Sequence, residues 1–158
     1  MHDNHLAMLR HHPFVLEFEP RHVERLAGLA KDVRWERNQL IFREGDECSE
    51  FYLIVSGLVS LEIAAPGQTF RVQTLFAGDE LGWSAMLGSS GKQFQARALE
   101  RVDALAFESS EILAACREDT GFGFAFMLRL SRLVAERLQA TRVQLLDMYS
   151  PVAARAGA

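Results

Sequence analysis

Residues 39–107 form a succession of short β-prone runs interrupted by turns that contain glycine. The turns are Glu44-Gly45-Asp46, Ser56-Gly57 and Pro66-Gly67, and each suits a tight connection between antiparallel strands. Polar and apolar residues alternate in the run that begins at Phe70, which indicates a strand with one wet face and one buried face. This pattern predicts a mainly β fold with flanking helices, built on a double-stranded β-helix (jelly-roll) barrel.

Helical patterns flank the β-prone region on both sides. Residues 20–33 predict an amphipathic helix, because their apolar positions recur by threes and fours and Pro20 suits a first turn. Serine and acidic residues at positions 108–111 predict the start of another helix with a serine cap. After a break at Thr120-Gly121, the proline-free residues 122–149 predict a helix about 42 Å long.

The long helix predicts an oligomer. Its apolar and small residues recur by threes and fours at Met127, Leu130, Val134, Leu138, Thr141, Leu145 and Met148. A helix of this length exceeds what one small barrel covers, so its far end is expected to pack on the same helix of a second copy. The prediction is therefore a homodimer through residues 127–148 that serves as a C-terminal dimerisation helix. The alternative is a helix that folds back on its own barrel.

Length and charge limit the domain organisation and the partners. The 158 residues fit one domain: an N-terminal segment 1–19, a helix plus jelly roll over 20–107, C-terminal helices over 108–149 and a tail 150–158. The net charge of −4 does not indicate a nucleic-acid or membrane surface as partner. The sequence contains neither an apolar run long enough to span a membrane nor the apolar core of a signal peptide. Cys48 and Cys116 are interpreted as reduced thiols. A cytoplasmic location is expected.

Histidine is concentrated at the N-terminus, where His2, His5, His11 and His12 lie within twelve residues. They have no carboxylate or cysteine at a recognised ligand spacing, so no metal site is predicted, and the segment is expected to be solvated and loosely ordered. Neither a nucleophile–base arrangement nor a P-loop occurs at a recognised spacing elsewhere. The sequence therefore predicts a non-enzymatic protein.

Residues 76–100 carry the candidate binding site. A Gly-Asp turn at Gly78 is followed by Gly82, by a short segment able to form one or two helical turns, by a polar loop and by an alternating run from Phe94. Free backbone amides at a helix start form an anion site. A glycine at its mouth lets a phosphate approach the main chain closely. The layout predicts binding of a small anion at Gly82.

Four motifs in this order resemble the cyclic-nucleotide-binding domain of the catabolite activator and nitrogen-fixation regulator superfamily. They are REGD at 43–46, FYLIVSGLVSL at 51–61, GDELG at 78–82 and ERLQAT at 136–141. The resemblance covers residues 20–149 and implies a ligand-sensing regulatory domain that acts in signal transduction. It implies cyclic AMP or cyclic GMP as the ligand, and the residues themselves establish no cofactor. Only a few residues follow Tyr149, so no helix-turn-helix module and no direct DNA binding are expected.

The resemblance also implies residue roles in the phosphate-binding cassette. Gly82, Ser84 and Ala85 match the positions whose backbone holds the cyclic phosphate. Trp83 stands where the family has the glutamate that accepts from the ribose 2′-hydroxyl, and an indole offers no acceptor for a hydroxyl hydrogen. Trp83 is expected either to stack on the ligand or to fill the pocket as a hydrophobic plug.

Two further ligand contacts follow from the same resemblance. The position of the family's phosphate-binding arginine falls on Lys92 or Gln93. Lysine neutralises a phosphate as a point charge, without the bidentate fork of arginine. Thr141 matches a helix position where a hydroxyl side chain meets the purine edge across the dimer, or it is a tolerated polar residue in the helix seam.

Two alternatives to cyclic-nucleotide sensing remain open at this point. In the first, the domain is degenerate, no longer binds cyclic nucleotide, and acts as a dimerisation or protein-interaction module with a protein partner for output. In the second, which is drawn from relatives that bind haem in the same barrel, His11, His12 or His22 ligates an iron.

Overall fold

Antiparallel strands form two four-stranded sheets in the computed structural model, which describes residues 2–47, 49–88 and 91–149. The strands are β1 (Lys31–Trp35), β2 (Leu40–Phe42), β3 (Glu50–Ser56), β4 (Val59–Ala65), β5 (Gln68–Leu75), β6 (Glu80–Leu81), β7 (Gln95–Ala98) and β8 (Val102–Glu108). The first sheet has the order β1-β8-β3-β6 and the second β2-β7-β4-β5. The predicted mainly β, jelly-roll fold with flanking helices is confirmed.

Strand β3 divides the interior into two cores, because its side chains alternate between the two faces of the first sheet. Tyr52 and Ile54 belong to the cluster between the sheets, which we call the barrel core. Phe51 and Leu53 belong to the cluster between the first sheet and the helices, which we call the helix-side core. The candidate site at Gly82 borders the barrel core, because Tyr52 lies beside it.

Four α-helices flank the sheets within the described residues: α1 (His2–Arg10), α2 (Pro20–Ala27), α3 (Ser109–Glu118) and α4 (Thr120–Tyr149). Two short 3-10 helices cover Pro13–Val15 and Trp83–Leu87. Helix α4 is the long helix that the sequence predicts. None of the described helices is long and apolar enough to cross a membrane. The predicted tail 150–158 and Cys48 lie outside the described residues.

The predicted helix over residues 20–33 is wrong in its second half. Helix α2 ends at Ala27, and the following residues Lys31–Trp35 form β1. Strand β1 pairs along its whole length with β8, from Lys31 opposite Ala106 to Trp35 opposite Val102. A complete set of strand partners outweighs a modest local helix preference. The predicted serine cap on α3 is also wrong, because the helix begins at Ser109 and Glu108 occupies the cap position without a side-chain bond.

The expectation of a solvated N-terminus is wrong as well. Helix α1 packs on the domain with Leu9 and His5 buried, and the Nε2 atom of His5 lies 3.1 Å from a carboxylate oxygen of Asp32 on β1. The sequence does not reveal this because the helix is short and mostly polar, and only Leu6, Met8 and Leu9 pack against the helix-side core. Among the described residues, no group of three or more His, Cys, Asp and Glu side chains is arranged to hold a metal ion.

Candidate functional site

The cassette begins where β6 ends. Gly82 has a left-handed backbone (φ 79°) and caps the 3-10 helix Trp83–Leu87. A Cβ atom at Gly82 would lie 2.8 Å from the carbonyl oxygen of Glu50, so a side chain does not fit there. The amide of Ala85 donates to the Gly82 carbonyl (3.0 Å) and closes the first turn. Glycine is therefore required at this position, both for the left-handed backbone and because the Glu50 carbonyl leaves no room for a side chain.

Lys92 brings a positive charge to this glycine. Its side chain is only 6% exposed, and its Nζ atom lies 3.1 Å from the position that a Cβ atom on Gly82 would take. The same Nζ stands 4.6 Å from the centre of the Phe42 ring, a cation–π distance. Gln93, the other candidate for the arginine position, is exposed. Of the two, the structure brings Lys92 to the cassette.

The backbone of Lys92 is fixed by the turn after β2. Its amide donates to the carbonyl of Asp46 (2.9 Å), and its carbonyl accepts from the amide of Gly45 (2.8 Å). The carboxylate of Asp46 in turn accepts from the amide of Arg43 (2.8 Å). The REGD motif thus forms a turn, capped by its own aspartate, that holds the backbone of Lys92 in place. The Asp46 carboxylate therefore has a structural task in this turn.

Two residues that the sequence did not single out complete the surroundings of Gly82. The Tyr52 hydroxyl donates to a carboxylate oxygen of Glu50 at 2.6 Å, and the Tyr52 ring edge lies 3.5 Å from the Cβ position on Gly82. Burial and the Glu50 carboxylate raise the pKa of Tyr52 well above its usual range, so the phenol stays protonated. In the sequence, the only sign of this pair is that Glu50 and Tyr52 are two residues apart, which places them on the same face of a strand.

Trp83 does not point into the barrel core. The indole is half-buried and packs against the helix-side core, together with Met86 of the same short helix. The residues that fill the barrel core around β3, β4 and β7 are aliphatic side chains, alanines, Tyr52 and Trp35. In this position the Trp83 indole does not contact the barrel core, which is the contact that a hydrophobic plug of the pocket would need. Ser84 of the same turn is half-buried.

Arg97 lies on the wrong face of β7 to replace the family's arginine. Its neighbours Ala96 and Ala98 point into the barrel core, so Arg97 points outward. There its Nε atom donates to a carboxylate oxygen of Glu62 at 3.3 Å, and its Nη1 donates to the carbonyl of Asn38 at 3.0 Å. Hydrogen bonds from Gln95, Ser60 and Arg97 outweigh burial and lower the pKa of Glu62.

A buried ion pair joins the cassette to helix α4. Arg137 of α4 donates through Nη2 to the backbone carbonyl of Glu80 (2.9 Å) and to its carboxylate (3.2 Å), and through Nη1 to Gln73 (2.9 Å). Glu80 is 7% exposed, and its burial raises the pKa of the carboxyl although Arg137 opposes that shift. Glu80 is two residues from Gly82, so the ion pair connects the strand that leads into the cassette with helix α4.

Thr141 lies on α4 one turn beyond this ion pair. Its hydroxyl donates to the carbonyl of Arg137 (3.0 Å), and the side chain is exposed. One turn further, Gln144 donates to the carbonyl of Val72 on β5 (3.3 Å). The second half of α4 therefore runs beside β5, and Thr141 lies between two residues that contact the barrel. Its predicted contact with a ligand stays a prediction.

The histidines proposed as haem ligands differ in their availability. His12 is buried, with Nε2 donating to the carbonyl of Ile54 (3.1 Å) and Nδ1 accepting from the amide of Phe14 (3.1 Å). Both ring nitrogens of His12 are thus in use within the fold. His11 is exposed. His22 is buried, and neither ring nitrogen has a hydrogen-bond partner among the described residues.

Comparison with known proteins identifies the class to which this fold belongs. The family model of the cyclic nucleotide-binding domain matches residues 32–119, so the chain belongs to this family. The matched span runs from β1 to the end of α3 and includes Gly82 and Lys92. A search among curated proteins found no significant match.

Solved structures show the same fold. A cyclic nucleotide-binding domain from Methylobacillus flagellatus is 17% identical, with a TM-score of 0.84 over 92% of this chain and 85% of its own. The catabolite activator protein of Thermus thermophilus is 25% identical, with a TM-score of 0.73 over 87% of this chain and 63% of its own. The N-terminal domain of a transcriptional regulator from Streptomyces coelicolor is 21% identical, with a TM-score of 0.70 over 88% and 95%.

Proposed function

We propose that this domain is a non-enzymatic regulatory module that binds a nucleotide-like anion at the cassette. The observation that carries the proposal is the position of the Lys92 ammonium, buried beside the left-handed Gly82 at the start of the 3-10 helix. A cation next to a glycine that permits close backbone approach is the chemistry that a phosphate monoanion requires. Cyclic AMP and cyclic GMP are the ligands to test first.

The altered side chains weaken this site relative to a complete cassette. Lys92 supplies one point charge where an arginine supplies two parallel hydrogen bonds. Trp83 supplies no acceptor for a ribose hydroxyl. Each lost charged hydrogen bond costs about 1.5–3 kcal/mol. The two losses together lower the affinity by a few powers of ten, since each power of ten corresponds to about 1.4 kcal/mol.

Output in this proposal passes through α4 in a homodimer. The Arg137–Glu80 ion pair ties the helix to the cassette strand, so an anion beside Gly82 changes the environment of that pair. Beyond Arg137 the helix exposes Leu138, Leu145 and Leu146, a surface that suits the same helix of a second copy. Ligand binding then shifts the relative population of two helix arrangements.

The second candidate function is a degenerate domain that serves as a dimerisation or protein-interaction module. Two observations favour it: the family's glutamate position is an indole that packs on the helix-side core, and the Lys92 ammonium already has the Phe42 ring as a partner. A lysine stabilised in this way does not require a ligand. The exposed apolar half of α4 would be the working surface.

Isothermal titration with cyclic AMP and cyclic GMP separates the two candidates. The chain has two lysines, which gives a matched pair of variants: Lys92→Gln at the cassette and Lys31→Gln on the exposed edge of β1. We expect wild type and Lys31→Gln to bind one of the nucleotides below about 1 mM, and Lys92→Gln to bind at least about tenfold more weakly. Wild type that binds neither nucleotide at submillimolar concentration would leave the degenerate domain as the function.

A further inference from the structure

The cassette borders a carboxylate, that of Glu50 at the start of strand β3. The backbone carbonyl of Glu50 lies 2.8 Å from the position that a Cβ atom on Gly82 would take. Side chains two residues apart in a strand lie on the same face of the sheet. Glu50 therefore shares its face with Tyr52, which belongs to the barrel core. The Glu50 side chain thus lies on the barrel side of the first sheet, next to the cassette.

Strand pairing gives the same direction for this side chain. Glu50 stands directly opposite Glu108 on β8, in the register that also pairs Tyr52 with Ala106. Ala106 belongs to the barrel core, and Glu108 follows it by two residues, so Glu108 lies on the barrel side as well. Both carboxylates are half-buried. Like charges directly opposite each other destabilise a sheet, so a hydrogen-bond donor beside them is favoured.

Tyr52 orients the Glu50 carboxylate. Its hydroxyl donates to the Oε2 atom of Glu50 at 2.6 Å, the length of a hydrogen bond to a charged acceptor. The Tyr52 ring is itself held in place, because it is only 8% exposed and packs edge-on against Trp35 with 5.2 Å between the ring centres. A carboxylate has about four lone-pair sites, and the Tyr52 hydroxyl occupies one of them. Glu50 therefore retains the capacity to accept a hydrogen bond from a ligand.

A cation lies on the other side of the same glycine. The Lys92 Nζ atom is 3.1 Å from the Cβ position on Gly82, and the Tyr52 ring edge is 3.5 Å from it. The lysine attracts an anionic group, whereas the carboxylate repels an anion and accepts from a hydroxyl or an amino group. A ligand that satisfies both sides of Gly82 therefore carries a negative charge and, on a neighbouring part of the molecule, a hydrogen-bond donor.

From this arrangement we infer that Glu50 selects the ligand of the cassette by accepting a hydrogen bond from the sugar hydroxyl of a ribonucleotide. The inference rests on the proposed function, because it takes the phosphate to lie beside Gly82 and Lys92. Trp83 does not serve as this acceptor, since an indole N–H only donates. A site built to bind a hydroxyl rejects the analogue that lacks it, because the acceptor is then left without its partner. Deoxynucleotides are therefore rejected.

The ligand itself supplies the first test, which needs no substitution in the protein. Cyclic AMP, cyclic GMP and the 2′-deoxy forms of both are titrated into the full chain by isothermal titration. For the nucleotide that binds, we expect the 2′-deoxy form to bind at least about tenfold more weakly, the effect of losing one hydrogen bond to a charged group.

Two matched variants assign this preference to one carboxylate. Glu50→Met removes the acceptor and keeps the length of the side chain, and we expect it to bind the ribose and 2′-deoxy forms with nearly equal affinity. Glu108→Met removes the same charge from the opposite strand position and should keep the preference for ribose. Tyr52→Phe keeps the ring but removes the hydroxyl that orients Glu50, and should reduce the preference. Thermal denaturation of each variant verifies that it is folded before titration.

The outcomes separate this inference from the proposed function. Equal binding of a nucleotide and its 2′-deoxy form by wild type would overturn the inference and leave the anion site at Lys92 standing. A preference that survives in Glu50→Met and disappears in Glu108→Met would assign the hydroxyl to the other carboxylate and overturn the role of Glu50. Wild type that binds none of the four nucleotides at submillimolar concentration would overturn the proposed function, and the inference with it.

Discussion

The two halves of helix α4 use the same residue types for different purposes. Over its first four turns the helix buries Phe122, Phe126, Leu130 and Leu133 against the helix-side core. From Leu138 to the end of the described helix, every residue is exposed. Both halves are rich in apolar side chains, so composition does not separate them. The difference is whether the chain itself provides a covering surface.

This contrast shows that the first half of the helix belongs to the core of the domain, while the second half leaves its apolar side chains exposed. The first half gains its stability from Phe14, Phe51 and Phe126, whose rings lie 5.4–6.0 Å apart. The second half touches its own barrel through polar contacts, such as that between Gln144 and Val72. The apolar surface that the domain leaves uncovered here is the one through which we propose the homodimer to form. Arg137 stands at the boundary between the two.

The largest expected effect comes from two phenylalanines two residues apart on α4. Phe126→Ala removes a ring that is 0% exposed and leaves a cavity among three other rings, and we expect it to lower the free energy of unfolding by about 3–5 kcal/mol. Phe124→Ala removes an exposed ring and should change that free energy by less than about 0.5 kcal/mol. Urea denaturation measures both. Equal losses would contradict the assignment of two different faces.

The next effect concerns the boundary itself. Arg137→Met keeps the length of the side chain but leaves the buried Glu80 carboxylate without its cation, and we expect a loss of about 3 kcal/mol of stability at neutral pH. Without the arginine, the pKa of Glu80 rises further above its ordinary value, so between about pH 7 and about pH 5 the carboxyl takes up a proton more readily than in wild type. The loss should therefore shrink on acidification. Thermal denaturation at both pH values provides the measurement.

The exposed Arg142 gives the control for that experiment. It lies beyond Arg137 on α4, and Arg142→Met removes the same charge from a solvated position. We expect its stability to stay within about 0.5 kcal/mol of wild type at both pH values. A loss of the same size in the two variants would indicate a general effect of net charge, and the Glu80 pair would have no special role.

The third effect concerns assembly. Leu145→Asp places a charge in the exposed apolar half of α4, and we expect the proposed homodimer to dissociate about 100-fold more readily, because two-fold symmetry introduces the charge twice. Gln139→Asp introduces the same charge at another exposed position of the helix as the control. Analytical ultracentrifugation distinguishes them. Wild type that sediments as a monomer at all concentrations would remove the homodimer from the proposal.

The fold was predictable from the sequence because its signals are local. Glycine turns at Gly45, Gly57 and Gly67 all adopt positive φ angles, and they fix where the strands end. The boundary between α2 and β1 was not predictable, because the pairing of Lys31–Trp35 depends on β8, about seventy residues away in the chain. Helix α1 was missed for a similar reason: its anchor Leu9 packs in a core that distant residues build.

The site was predictable in its backbone and less so in its side chains. The motif gave a glycine at position 82, which has a left-handed backbone, and the resemblance left Lys92 and Gln93 as alternatives, of which Lys92 lies beside Gly82. The roles of Tyr52 and Glu80 depend on which strand edge and which helix turn meet the cassette. These are tertiary relations, so no spacing along the chain encodes them. The direction of the Trp83 indole is also set by tertiary contacts, so the sequence does not reveal it.

The smallest effect tests the support beneath the first half of α4. His12 holds the segment that carries Phe14 onto Phe126: its Nδ1 accepts from the Phe14 amide, and its Nε2 donates to the Ile54 carbonyl. Burial lowers the pKa of His12 below the value of about 6.5 that it has in the unfolded chain. Protonation would place a hydrogen on Nδ1 and break its bond with Phe14.

The lowered pKa of folded His12 sets the sign with which stability depends on pH. The unfolded chain takes up a proton on His12 at a higher pH than the folded chain does, so the contribution of His12 is fully present above about pH 6.5 and is lost as the pH falls through the lower folded pKa. We expect wild type to lose stability through this group as the pH falls from about 7 to about 5. His12→Gln should remove that part of the slope, while His11→Gln, at an exposed position, should keep it. A slope unchanged by His12→Gln would show that the support under Phe14 and Phe126 does not depend on a neutral imidazole.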